Sequence, residues 1–102
     1  MKIVSPNEVC ANRDGYYIID IREPYEYEVA NIKCPNIPMA EVCDQLNDLP
    51  KDKIVVLMCQ SGNRASALGN LLTVDFELQN VAVMEGGIKA WKEQVDQTLL
   101  ID

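Results

Sequence analysis

The stretch from Ile54 to Leu72, IVVLMCQSGNRASALGNLL, constrains the fold more than any other part of this chain. Ile54 to Met58 is an unbroken apolar run without alternation, the pattern of a strand covered on both faces. Ser61, Gly62 and Asn63 end the run. From Arg64 onward the apolar positions Ala65, Leu68, Leu71 and Leu72 recur at helical spacing. A buried strand therefore feeds a short loop that opens a helix, and the loop amides lie at a helix N-terminus, where they favour negative charge. Cys59 sits at the head of that loop. Two readings stand side by side at this point. Cysteine is among the most buried residue types, so Cys59 can be a small core residue. Alternatively, backbone N–H groups gathered around the sulfur stabilise its thiolate and make it a nucleophile at neutral pH. Gly62 and Arg64 favour the second reading, because ligands bind at the C-terminal ends of parallel strands and arginine is a natural anion partner.

With 102 residues, the chain is expected to form one domain, residues 1–102, near the usual domain size. No repeat or low-complexity tract interrupts it. The opening MKIVSPNEV holds only Ile3 and Val4 before Ser5 and Pro6, far short of the apolar segment of an export signal, so a cytoplasmic protein is expected. The longest apolar run, Ile54 to Cys59, is about a third of what a membrane helix needs, and no membrane association is expected. Cys10, Cys34, Cys43 and Cys59 are widely spaced, which suits reduced thiols better than a disulfide framework or a zinc knuckle. No metal and no cofactor are expected. The chain has no histidine, so Cys–His and Ser–His dyads are excluded, and any activation of Cys59 must come from backbone dipoles or Arg64. A net charge of −7, spread along the chain, argues against a nucleic-acid partner.

Ser5, Pro6 and Glu8 read as a helix start with a capping box. Asp14-Gly15 is a turn, and Tyr16 to Ile21 a second β-rich segment. Pro24 opens a short helical turn over Tyr25 to Val29. Pro35 and Pro38 restrict the following connection to an edge strand of two or three residues around Asn36-Ile37. Met39 to Leu49 carries Val42, Leu46 and Leu49 at helical spacing. Val81 to Met84 is another buried strand, Gly86-Gly87 a turn, and Ile88 to Val95 a last helix with Ile88, Trp91 and Val95 on one face. Strands alternating with helices predict a parallel, doubly wound sheet whose strand C-termini carry the site, with the loops after Ile21, Met58 and Met84 converging there.

The segments IDIREPYEYEVANI, CQSGNRAS and VMEGGIKAW, in this order and spacing, resemble the rhodanese-like sulfurtransferase domain. The resemblance covers most of the chain. It implies a doubly wound α/β domain with a central parallel sheet of about five strands flanked by helices. It further implies a catalytic cysteine, here Cys59, that carries a sulfane sulfur as a persulfide within the loop Gln60, Ser61, Gly62, Asn63 and Arg64. Asp20, Arg22 and Glu26 match the family's first motif and are expected to tie loops together rather than touch substrate. Gly86 and Gly87 match its terminal motif and are expected to set a turn, with Trp91 in the core. The implied partners are a small sulfur donor or acceptor, thiosulfate among them, or a protein persulfide or thiol protein. Where the family commonly has a glycine, a histidine and Gly-Ala, this chain has Ala30, Asn31 and Cys34-Pro35. Cys34 is expected to be a buried thiol rather than a second reactive one. Two other functions lie within reach of the fold. A cysteine phosphatase or arsenate reductase holds one more residue between cysteine and arginine than the four present here, and a non-catalytic interaction module typically lacks the cysteine.

Overall fold

A computed structural model of the chain describes residues 1–101; Asp102, the last residue of the expected domain, lies outside the described residues. Among the described residues, four strands form one wholly parallel sheet: β1 (Lys2–Val4), β2 (Tyr16–Asp20), β3 (Ile54–Met58) and β4 (Val81–Met84), in the order β1-β4-β3-β2. The helices are α1 (Pro6–Ala11), α2 (Pro24–Val29), α3 (Met39–Val42), α4 (Asn63–Val74) and α5 (Gly87–Gln94), with 3-10 turns at Arg13–Gly15 and Cys43–Asp48.

The apolar run in β3 has the predicted cause. Its side chains alternate between two covered faces. Val55, Leu57 and Cys59 join one core with Ile19, Ile21, Val42, Ala65, Leu68 and Leu72, on the side of α3 and α4. Val56 and Met58 join the other with Val4, Val9, Ile88 and Trp91, on the side of α1 and α5. Because β3 lies between β2 and β4, its C-terminal end opens at the middle of the sheet edge. In β2, Asp20 stands level with Met58, and in β4 Val83 stands level with Leu57.

Among the described residues the sheet has four strands rather than about five. The expected edge strand is a single parallel bridge between Asp20 and Asn36. Pro35 and Pro38 lack the N–H groups a ladder needs, so the connection instead clings to β2 through Asp20 N donating to Pro35 O (2.9 Å) and Ile37 N to Asp20 O (3.0 Å). The helix read over Met39 to Leu49 breaks after Val42 into a 3-10 segment, where Gln45 departs from helical geometry (φ −119°, ψ 15°). The segment carries Asp44, Asn47 and Asp48, residue types that disfavour a helix interior. Leu71, placed on the apolar face of α4, is 38% exposed, and the face is completed by Gly69 instead. The Ser5–Glu8 capping box stands as read, with Ser5 Oγ accepting from Glu8 N and Glu8 Oε1 from Ser5 N, both at 3.1 Å. Among the described residues no helix is long and apolar enough to cross a membrane.

Candidate active site

The chain leaves β3 at Met58 and turns at once. Gly62 takes up φ +104°, in the left-handed region that glycine tolerates, and caps α4. This turn folds the loop back over its first residue. Cys59 is 1% exposed, and its Sγ accepts hydrogen bonds from Gly62 N (3.1 Å) and Ala65 N (3.3 Å). The sulfur thus lies at the N-terminal mouth of α4, with backbone donors aimed at it.

The carbonyls of the same loop are held from the opposite side. Ile88 N donates to Cys59 O (2.8 Å) and Lys89 N to Gln60 O (3.2 Å), so the first amides of α5 grip the cysteine loop. Gly87, at φ +63°, makes this approach possible. A Cβ there would run into Cys59 O and come within 2.6 Å of Gln60 O. Gly86 (φ +77°) caps α5 and Gly87 begins it, so the second glycine of the expected turn already belongs to the helix and lies against the cysteine loop.

The first motif supplies two clamps. Asp20 and Arg22 are both buried, at 0% and 1% exposure. Arg22 meets Asp20 through Nη2 (2.8 Å) and Nε (3.0 Å). The same guanidinium donates to Ala30 O (2.8 Å) and Gln60 Oε1 (3.3 Å), joining the loop after β2 to the residue that follows Cys59. Glu26 takes Arg64 in a forked pair, Oε1 to Nη1 at 2.8 Å and Oε2 to Nη2 at 3.0 Å. Its Oε1 also accepts from Glu23 N (3.0 Å) at the start of α2. The Arg64 guanidinium holds the Glu26 carboxyl below its ordinary range, more than offsetting burial, and Glu26 in turn raises Arg64. The fork therefore locks α4 to α2.

Three of the named residues lie at the rim. Gln60 is half-buried, whereas Ser61 and Asn63 are exposed and line a hollow of about 170 Å³ beside Gly86. Cys34 belongs to the opposite core from Cys59, and burial pushes its thiol up to about 12. It is a protonated core residue at neutral pH. No group of three or more Cys, Asp or Glu side chains among the described residues converges to hold a metal ion.

Sequence reasoning missed a wall of the site. A hollow of about 220 Å³ opens beside Gln60, Arg22 and Glu26, bounded by Tyr25 and Val29 of α2 and by Leu100 and Ile101. The apolar triplet Leu99 to Ile101, following a polar stretch, was the available signal.

Comparison with known proteins places this geometry among relatives. The sequence matches the rhodanese-like domain description over residues 5–94. It is 29% identical to adenylyltransferase and sulfurtransferase MOCS3-1 of Drosophila pseudoobscura pseudoobscura, over 84% of this chain and 21% of that protein. The chain thus spans about a fifth of that relative. It is 32% identical to the uncharacterized protein YqhL of Bacillus subtilis (strain 168), over 89% of this chain and 72% of that one. The crystal structure of a rhodanese-related protein from Thermoplasma volcanium superposes with a TM-score of 0.83 at 28% identity, each chain covered in full.

Proposed function

The chain belongs to the rhodanese-like domain family, and from that premise we propose that it is a sulfurtransferase in which Cys59 carries a sulfane sulfur between a donor and a thiophilic acceptor. The observation that carries the reading is the sulfur of Cys59 accepting hydrogen bonds from two backbone N–H groups at the head of α4. Such donors stabilise the thiolate and then the negative charge of the persulfide without any proton-accepting side chain, which suits a chain devoid of histidine.

The reaction is a double displacement. With thiosulfate as donor, the Cys59 thiolate attacks the outer sulfur. A new S–S bond forms at Sγ, the bond to the sulfonate sulfur breaks, and sulfite departs with the electron pair. A nucleophilic acceptor then attacks the outer sulfur of the persulfide, and the electron pair of the broken bond returns to Cys59 Sγ. Loop length supports this chemistry over attack on a phosphoryl group. Four residues stand between Cys59 and Arg64, one fewer than in the cysteine phosphatases on this fold, so the ring of amides suits a single sulfur atom rather than a tetrahedral oxyanion.

Intact mass measurement tests the proposal. Excess thiosulfate is expected to add one sulfur atom, and cyanide or a reducing thiol to remove it. Cys59→Ser abolishes the adduct, whereas Cys10→Ser and Cys43→Ser retain it. A Cys59→Ser protein that still gains the sulfur overturns the assignment.

A further inference from the structure

The hollow beside Gln60 is the feature that the transfer chemistry leaves unexplained. Three large apolar side chains stand exposed around it, Tyr25 at 70%, Val29 at 73% and Leu100 at 82%. Single exposed apolar residues are ordinary on a protein surface. These three come from two distant stretches of chain and share one opening. The segment that supplies the far wall is fastened in place: Leu99 and Ile101 pack against the core on the α5 side, and Lys92 Nζ donates to Ile101 O (3.1 Å). The polar groups at the floor are already committed, Arg22 to Asp20 and Glu26 to Arg64. What the hollow offers a visitor is therefore an apolar wall, next to the residue that follows Cys59.

We infer that this hollow is a subsite for the apolar body of a small thiol that accepts sulfur from Cys59, an inference that rests on the sulfurtransferase reading above. The acceptor's thiolate attacks the outer sulfur of the Cys59 persulfide. Its S–S bond forms as the bond to Sγ breaks, the electron pair returns to Cys59, and the acceptor leaves as a persulfide. No further oxidant or reductant enters. Tyr25, Val29 and Leu100 bind the acceptor's aromatic or branched alkyl group, and withdrawing that group from water supplies selectivity over acceptors without one.

The test uses protein loaded with one sulfur by excess thiosulfate and freed of the donor. Discharge by benzyl mercaptan, 2-mercaptoethanol and cyanide is followed by intact mass, with thiol rates expressed per concentration of thiolate. Wild type is expected to favour benzyl mercaptan over 2-mercaptoethanol by about tenfold. Val29→Asp and Leu100→Asp, both at exposed positions that tolerate the change, are each expected to lower the ratio of benzyl mercaptan to cyanide discharge by a similar factor. Equal rates for the two thiols in wild type, or an unchanged ratio in both variants, overturn the subsite. A protein that loads sulfur and yields it to cyanide without discriminating between thiols loses only this inference. One that never loads sulfur loses the proposed function with it.

Discussion

Cys34 and Cys59 show how far two identical side chains diverge under different surroundings. Both are buried, but Cys59 meets aligned backbone donors, whereas burial and then the nearby Asp20 carboxylate push the Cys34 thiol up to about 12. The sequence reading expects Cys34 to be a buried thiol, and it is 8% exposed; it places Cys59 between a strand and a helix, where β3 and α4 hold it. The raised Cys34 value has a consequence for stability. From its ordinary value of about 8.5 up to about 12, the folded state keeps a proton that the unfolded chain has lost, so stability falls as pH rises across that window. The expected slope is at most about 1.4 kcal/mol per pH unit. Tyr27, raised chiefly by its own burial, adds in the same direction at the upper end. Urea unfolding at pH 8 and pH 10 checks this, and Cys34→Ala should flatten the loss. Arg22 belongs to the same scale. Arg22→Ala removes the cation beside buried Asp20, leaving it the backbone N–H of residue 22, and should cost about 3–5 kcal/mol in the same unfolding assay.

Secondary-structure elements carry the lock and the floor of the loop. The Arg64–Glu26 fork joins the first turn of α4 to α2, and with Arg64 37% exposed its worth to stability is small, under about 1 kcal/mol. Its worth to geometry is larger. Arg64→Lys is expected to lose nearly as much sulfur-transfer activity as Arg64→Ala while melting within a few degrees of wild type, because an ammonium cannot fork to a carboxylate. Lysine activity well above alanine would assign Arg64 a charge role instead. Because Glu26 titrates below its ordinary range, the fork is fully formed above the ordinary carboxylate value and is lost as pH falls through the lower folded value. Gly87→Ala should also inactivate, since its methyl meets the Cys59 and Gln60 carbonyls from which α5 hangs. Elements whose signal is local were legible: β3 and β4 match their predicted ranges residue for residue, and the α1 capping box stands as read. Those defined by distant partners were not. β1 holds three residues, one of them 61% exposed Ile3, and only its pairing with β4 makes it a strand. The wall formed by Leu100 and Ile101 was hidden for the same reason, since nothing in the local sequence says which surface an apolar segment will reach.

Across the whole molecule, the net charge of −7 sets the terms on which a donor would arrive under the proposed sulfurtransferase function. The loops after Ile21, Met58 and Met84 meet at one end of the sheet, as parallel topology requires, and they bring few cations with them. Arg22 and Arg64 are both neutralised by carboxylates, which leaves Lys89 and Lys92 on a neighbouring hollow as the positive charges closest in sequence to the α5 end of the site. A doubly negative donor such as thiosulfate therefore approaches against the overall field and is expected to be a poor substrate compared with a neutral or thiol-borne sulfur. Repulsion of this kind is screened by salt, with a Debye length of about 8 Å near 0.15 M. The second-order rate with thiosulfate should accordingly rise as an inert salt is added from low ionic strength at constant pH. A protein persulfide docking through a basic patch should show the reverse, faster at low salt. If the thiosulfate rate falls with added salt, the two α5 lysines outweigh the acidic surface near Cys59, and inorganic thiosulfate becomes the better candidate for the working donor.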